Sequence, residues 1–198
     1  MGTGLIASPA LPVSEPTGAF PGPFVNGDVL YEVVNHEVRE LPPMSARETH
    51  FASLLFGILF QYARSRGLGQ AESEMLFMLD SEKGLQRRPD LSFVSFARWP
   101  RGKPVPGTRA WEVVPNLAVE VISPTNGANE IIEKIDDYFA SGVQRVWVFY
   151  PLHAKCYDYE SATSVRILTG TDTLEGGELL PGFQLPLVEL FEGPAGGA

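Results

Sequence analysis

The sequence predicts an α/β protein in which a mixed, curved β-sheet is flanked by helices. Residues 117–122 form a strand that is apolar on both faces, which is typical of an inner strand covered on both sides. A helix over 129–141 and a second apolar strand over 145–150 follow it. Because a strand–helix–strand crossover returns the chain in the same direction, these two strands should pair in parallel.

The 198-residue chain is long enough to bury a core and is interpreted as one domain over residues 25–192. Residues 1–24 contain five prolines and no periodic pattern, so they predict an irregular arm. Residues 193–198 are rich in glycine and alanine and predict a flexible tail.

Composition limits the possible functions. A net charge of -9 argues against a protein that holds nucleic acid by bulk charge, so any such contact must be local. The single cysteine, Cys156, leaves no intramolecular disulfide or cysteine-rich zinc site and fits a reducing cytoplasm. The longest apolar stretch, 51–60, falls short of the roughly 20 residues of a membrane span. We therefore expect a cytoplasmic protein without a membrane segment or a secretory signal.

The first elements are predicted from turn residues and periodicity. Strands over 29–34 and 37–41 should form a hairpin at Asn35-His36, because asparagine tolerates positive φ. Ser45 and Glu48 have the spacing of a capping box, and apolar residues at helical spacing predict a helix that ends at Gly67. Strands over 75–79 and 91–96 should form a second hairpin across a turn at 81–84.

The remaining chain predicts a long loop and a late meander. Residues 97–115 are rich in proline and glycine and form a loop of a length that is often functional. After the crossover, shorter strands are expected over 155–159, 165–168 and 174–180.

Two acidic residues stand out against this pattern. Glu120 lies within the strand that is apolar on both faces, and Asp90 precedes the strand that begins at residue 91. A buried, ionised carboxylate is costly unless a cation or hydrogen bonds compensate it. A bound metal ion would compensate both acids, and a salt bridge from Glu120 to Arg87 or Arg88 is the alternative.

Lys134 lies on the helix that follows the Glu120 strand, at the border of its apolar stripe. From there its side chain can reach inward to the strand end or outward to solvent. Two carboxylates and an ammonium suit phosphodiester hydrolysis, in which the acids hold Mg²⁺ or Mn²⁺ and the lysine offsets charge on the phosphate.

The motifs in their order resemble the Uma-type restriction endonucleases of the PD-(D/E)XK nuclease superfamily. The resemblance covers residues 25–190 and rests on Pro89-Asp90, Glu120-Val-Ile-Ser123-Pro124, Lys134, Tyr138, Gly142-Val143 and Trp147, with Tyr31-Glu32 and His50 before them. It implies a restriction-endonuclease-like fold with the site at one edge of the sheet.

The resemblance also implies the roles of individual residues. Asp90 and Glu120 would be metal ligands, the carbonyl of Val121 would add a third oxygen, and Lys134 would be the catalytic lysine. The chain departs from the pattern at Ile122, where the superfamily usually has its lysine. A second departure is Tyr150-Pro151, where relatives often have Asp-Pro.

These features together predict a Mg²⁺-dependent endodeoxyribonuclease that acts as a homodimer, since one centre cuts one strand. The arm and the apolar face of the first helix would offer the contact surface. The loop cations Arg98, Arg101, Lys103 and Arg109 are candidates for substrate contact, and Glu32, His50 and Tyr138 are candidate accessory residues. Two alternatives remain open: a nuclease-fold binding protein that has lost activity, and a metal-dependent hydrolase of a small phosphoester.

Overall fold

The structure is a computed structural model that describes residues 29–192, so the predicted arm at 1–24 and the tail at 193–198 lie outside the described residues. In chain order the strands are β1 (Tyr31–Val34), β2 (Glu37–Glu40), β3 (Gly69–Ser73), β4 (Phe77–Asp80), β5 (Leu85–Arg87), β6 (Leu91–Ser95), β7 (Leu117–Val121), β8 (Arg145–Tyr150), β9 (Lys155–Ser161), β10 (Ser164–Thr169), β11 (Thr173–Glu175) and β12 (Gln184–Pro186). The helices are α1 (Ala46–Arg66), α2 (Ala128–Ala140) and α3 (Leu187–Phe191).

The main sheet has six strands in the order β10-β9-β8-β7-β6-β3. Strands β7 and β8 pair in parallel across α2, whereas the other neighbours pair antiparallel. The predicted mixed sheet and its parallel crossover are therefore confirmed, and β7 is an inner strand.

A second, four-stranded sheet has the order β2-β1-β5-β4. Its first hairpin is the predicted one: Asn35 and His36 have φ values of 53° and 66°, which a two-residue turn between twisted strands requires.

The predicted second hairpin is wrong. Strand β4 pairs with β5, and β6 pairs with β3 instead. Gly84, at φ 57°, lets the chain reverse directly after β4, so that Leu85–Arg87 returns along it. Strand β3 consists of Gly-Gln-Ala-Glu-Ser, which has no β-branched or aromatic residue to signal a strand.

The predicted strand over 174–180 is also wrong in its extent. Only Thr173–Glu175 is a strand, and it pairs with β12 in a separate two-stranded sheet. The chain then turns, and Leu180 enters the core from that turn, which explains its apolar character.

The two faces of the main sheet are covered by different helices. On one face α1 buries Phe51, Leu55 and Leu59, in the cluster that contains Leu117 and Val119. On the other face α2 buries Ile135 and Tyr138, in the cluster that contains Ala118, Val146 and Val148. Both helices lie within about one residue of their predicted bounds, and none of the helices in 29–192 has the length and apolarity needed to cross a bilayer.

Two details of α1 differ from the prediction. The Ser45 hydroxyl contacts the Glu48 carboxylate, and it does not cap a backbone N–H. Most of the apolar face of α1 is buried against the sheet, so what it leaves for a dimer contact is limited to exposed side chains such as Leu54 and Phe60, and the dimer itself stays a prediction.

Candidate active site

Asp90 and Glu120 come from neighbouring antiparallel strands of the main sheet. Leu91 of β6 pairs with Val119 of β7, and extending that register by one residue sets Asp90 beside Glu120. The Val121 N–H donates a hydrogen bond to Asp90 Oδ2 at 2.6 Å, which fixes the aspartate against the end of β7. The two acids therefore lie side by side where β6 begins and β7 ends, at one end of these two strands.

Glu120 is 5% exposed, and both of its oxygens have partners on α2. The Tyr138 hydroxyl donates to Oε1 at 2.6 Å, and Lys134 Nζ donates to Oε2 at 3.1 Å. The alternative salt bridge from Glu120 to Arg87 or Arg88 is wrong, because the cation that Glu120 meets is Lys134.

Glu32, on β1, reaches the same place from the second sheet. It is 1% exposed, and its Oε1 lies 3.3 Å from Lys134 Nζ. Its Oε1 also accepts a hydrogen bond from the Arg88 backbone N–H, and its Oε2 accepts one from the Arg87 guanidinium at 2.7 Å. The Arg87 guanidinium also forms a salt bridge with Asp137 of α2 at 2.6 Å. Alternating positive and negative side chains therefore connect the two sheets through α2.

Arg87 and Asp137 are not among the predicted site residues. The signal for Arg87 is the alternation in Leu85–Arg87, which puts Leu85 and Arg87 on the same buried face of a short strand. The signal for Asp137 is its position one helical turn after Lys134. Neither signal identifies the partner, because the pairing crosses 50 residues of sequence.

The charges set the protonation states on α2. Burial by itself lowers the pKa of Lys134, but the carboxylates of Glu120, Glu32 and Asp90 outweigh burial and raise that pKa above its usual value. Burial raises the pKa of Glu120, and the contacts with Lys134 and Tyr138 partly oppose this rise. Burial also raises the pKa of the Tyr138 phenol. These directions favour an ammonium at Lys134 and a protonated phenol at Tyr138 at neutral pH.

Asp90 is different because its state depends on pH near neutrality. Burial, reinforced by the negative charge of Glu120, raises the pKa of Asp90 to about 7, while the Val121 N–H and Lys134 partly oppose this shift. A cation close to Asp90 would lower its pKa again.

A cavity of about 60 Å³ opens beside the two carboxylates. Since a single water molecule needs about 10–15 Å³ of such space, the cavity has room for an ion with a few waters. Its charged lining consists of Arg88, Asp90, Glu120, Glu130 and Lys134. The uncharged residues of the wall are Leu41, Pro42, Pro43, Met44, Val121, Ile122, Ser123 and Asn126.

The donor set fits a hard divalent cation. No described residue donates a hydrogen bond to Asp90 Oδ1, so that oxygen remains available to a ligand. Among residues 29–192, no group of three or more His, Cys, Asp or Glu side chains is arranged to hold a metal. Mg²⁺ keeps several waters and binds through one or two carboxylates, which is what Asp90 and Glu120 offer.

The structure does not bring the predicted basic cluster to these carboxylates. The loop that carries it leaves β6 at Ser95, and the five residues of β6 span about 16 Å from the Asp90 end. The Arg98 guanidinium donates to the carbonyls of Val114, Pro115 and Gly142 at 2.7–2.9 Å and thereby holds the loop.

The other cations of that loop also lie away from the cavity. Arg101 packs over the Phe96 ring and Lys103 lies over the Trp99 ring, both by cation–π contact, while Arg109 is exposed. His50 is exposed on α1 and is absent from the cavity lining. Of the accessory candidates, the structure brings Glu32 and Tyr138 to the site.

A mixed sheet that carries two carboxylates to the ends of its inner strands, with a lysine from the crossover helix, defines a restriction-endonuclease-like α/β protein. The chain belongs to the Uma2 family, whose model carries the description "Putative restriction endonuclease" and matches residues 19–188.

A solved structure supports the same fold. It is described as a "putative nuclease belonging to DUF820 from Anabaena variabilis ATCC 29413" and superposes with a TM-score of 0.72. The identity is 15%, over 82% of this chain and 89% of that one. No curated protein matches the chain. The predicted fold class and family are thus confirmed.

Proposed function

We propose that this protein is a Mg²⁺- or Mn²⁺-dependent endonuclease that hydrolyses DNA phosphodiester bonds. The observation that carries the proposal is the convergence of Asp90, Glu120 and Lys134 on one small cavity at the strand ends. Membership of a family described as restriction endonucleases supports the reaction class.

Asp90 and Glu120 would hold the metal, with the Val121 carbonyl as a further oxygen donor from the same cavity wall. When bound, such an ion activates water and offsets charge on a scissile phosphate. Asp90 contributes a free Oδ1 and is kept in place by the Val121 N–H. Tyr138 orients the Glu120 carboxylate through Oε1 and leaves its proton on the phenol.

Lys134 has two tasks in this proposal. Its raised pKa keeps it protonated, so it cannot accept a proton from water and does not act as a general base. It stabilises negative charge that develops on the phosphate, and in the resting protein it forms ion pairs with Glu120 and Glu32. Arg88 also lines the cavity, but its guanidinium donates to the carbonyls of Tyr31 and Glu74, so Lys134 is the cation that this proposal assigns to the phosphate.

The proposal is tested by incubating supercoiled and linear DNA with wild type and Glu120→Gln, with and without Mg²⁺ or Mn²⁺. Glutamine keeps the size of Glu120 and removes its charge, so we expect cleavage to fall by about 100-fold or more. Glu133→Gln, at an exposed position of α2, serves as the matched control and should leave cleavage unchanged. Equal activity of wild type and Glu120→Gln would refute the proposal.

One observation favours a second candidate, a nuclease-fold binding protein without activity. Both oxygens of Glu120 are already satisfied by Lys134 and Tyr138. In that case the metal has no effect, DNA stays intact and Glu120→Gln behaves like wild type. Hydrolysis of a small phosphodiester with intact DNA would instead indicate the small-phosphoester hydrolase.

Cutting both strands of a duplex would require two such centres, so we propose that the working form is a homodimer. Sedimentation equilibrium with and without duplex DNA tests this directly. A monomer in both conditions, together with double-strand cleavage, would contradict it.

A further inference from the structure

A second cavity, of about 430 Å³, lies between α1 and the start of β6 on the other side of Asp90. It shares Pro43, Met44 and Asp90 with the cavity of the candidate active site. A group bound there would therefore be adjacent to a phosphate bound at the two carboxylates.

The lining of this second cavity is apolar with a polar rim. Leu30, Met44, Ala52, Phe56 and Leu91 supply the apolar surface. Its hydrogen-bonding groups are the side chains of Thr49, Ser53, Ser73, Glu74 and Asp90. No lysine or arginine lines it, in contrast to the first cavity with Arg88 and Lys134. Such a lining suits a neutral, flat, polar-edged group and does not suit a phosphate.

Glu74 is held in position at this wall. Its φ of 50° is left-handed, which is costly for a residue other than glycine. Its N–H donates to the Asp90 carbonyl at 3.0 Å, and its carbonyl accepts a hydrogen bond from the Arg88 guanidinium. These two contacts tie the backbone of Glu74 to the residues of the active site, while its carboxylate accepts no hydrogen bond from the residues described.

We infer that the second cavity binds one unstacked nucleobase of the substrate, next to the phosphate that is cut. The inference rests on the proposed function and adds the part of the substrate that is recognised. A volume of about 430 Å³ falls within the range of small-ligand sites and has room for a nucleobase. Phe56 offers a ring for stacking, as aromatic side chains do for extruded or single-stranded bases.

The acceptors on the rim predict which bases bind. Carboxylates accept hydrogen bonds from exocyclic amino groups, and cytosine, adenine and guanine present such groups whereas thymine does not. Asp90 is occupied by the Val121 N–H and the proposed metal ion, so the Glu74 carboxylate is the acceptor that favours a base with an amino group over thymine at this position.

The test uses Ser53→Trp, which places a bulky side chain at the cavity wall, and Ser65→Trp as the matched control on α1. Both serines are exposed and bond to a preceding backbone carbonyl of the helix, but Ser65 is absent from the cavity lining. Saturation-transfer NMR with free deoxycytidine, deoxyadenosine and thymidine reports base binding without any cleavage. We expect transfer to deoxycytidine and deoxyadenosine in wild type and Ser65→Trp, loss of it in Ser53→Trp, and weak transfer to thymidine.

Glu74→Gln provides a second variant that keeps the cavity volume, and it should reduce the preference for deoxycytidine over thymidine. In cleavage assays Ser53→Trp should lower kcat/KM by about 5- to 100-fold, the range expected for one lost base contact. If wild type cleaves DNA but Ser53→Trp and Ser65→Trp show equal saturation transfer to the nucleosides, the base site is refuted and the proposed function is not affected. If Ser53→Trp abolishes saturation transfer to the nucleosides but wild type does not cleave DNA, the proposed function is refuted and the base site is retained.

Discussion

The Lys134 ammonium lies 3.1 Å from Glu120 Oε2 and 3.3 Å from Glu32 Oε1. Glu120 belongs to the main sheet and Glu32 to the second sheet, so one buried cation on α2 forms ion pairs with acids from both. Removing one partner from such a buried group leaves charge without compensation, which is far more damaging than losing an exposed pair.

The first prediction concerns Lys134 itself. Lys134→Met should lower the free energy of unfolding by about 3–5 kcal/mol, because the buried Glu120 loses its cation and Glu32 keeps only Arg87. Glu133→Gln breaks the exposed pair with Arg39 on the same helix and should cost about 0.5 kcal/mol or less. Urea denaturation of both variants in chelator checks the contrast, and similar costs would contradict it.

The second prediction concerns the pair Arg87 and Glu32, which is buried on both sides. Each of Arg87→Met and Glu32→Gln should be strongly destabilising, while the double variant should cost less than the sum of the two. A double-mutant cycle in urea should give a coupling free energy above about 1 kcal/mol. Additive effects would show that the two side chains act independently.

The third prediction follows from the pKa of Asp90, which is about 7 in the folded protein against an ordinary value of 3.8. An acid whose pKa is raised by folding favours the folded state only while protonated, so stability should fall as the pH rises from about 4 to about 7. Asp90→Asn should flatten this loss and stabilise the metal-free protein at pH 8, by on the order of 2 kcal/mol.

Asparagine keeps an oxygen for the Val121 N–H, so the substitution isolates the charge. Urea denaturation from pH 4 to pH 8 in chelator measures the slope. Because the pKa of Glu120 is also raised by burial, some pH dependence should remain in the variant. A slope equal to that of wild type would rule out Asp90 as its source.

The fourth prediction concerns metal addition. If Asp90 and Glu120 hold Mg²⁺, an ion concentration of about 100 times Kd should raise the free energy of unfolding by about 2.7 kcal/mol. Scanning calorimetry should show this gain for wild type and Glu133→Gln, and show none for Asp90→Asn or Glu120→Gln. An equal gain in all four proteins would mean that the ion binds elsewhere.

The fifth prediction compares two tyrosines whose hydroxyls each donate at 2.6 Å. Tyr138→Phe removes a buried hydrogen bond to the Glu120 carboxylate and should cost about 1.5–3 kcal/mol. Tyr62→Phe removes an exposed bond to the Pro181 carbonyl and should cost about 1 kcal/mol or less. Thermal unfolding of the two variants tests whether burial and charge separate them.

The sequence predicts the parts of this site that depend on strong local patterns. Periodicity predicts α1 and α2, and the apolar faces of β7 single out Glu120. The position of Lys134 on the border of the α2 stripe allows its side chain to point inward or outward, and the family resemblance is what singles it out. The structure brings Asp90, Glu120 and Lys134 to one cavity, as the resemblance implied.

The remainder depends on contacts between distant segments, for which the sequence carries little signal. Strands β3 and β5 are short or poor in β-branched residues, and their places are set by pairing with β6 and β4. The Arg98 loop looks like a phosphate-binding segment because its cations are close in sequence. Folding instead uses Arg98 to satisfy backbone carbonyls.

The buried Lys134 ammonium also means that folding in the cell should not require a metal ion. Because Lys134, together with Arg87 and Tyr138, compensates Glu120 and Glu32 without a metal ion, a newly made chain can reach its native state before any magnesium arrives. Loading then becomes a separate, reversible event whose extent follows the free ion level in the cell. Chelators should therefore abolish the activity of such an enzyme without unfolding it, and adding the ion back should restore the activity.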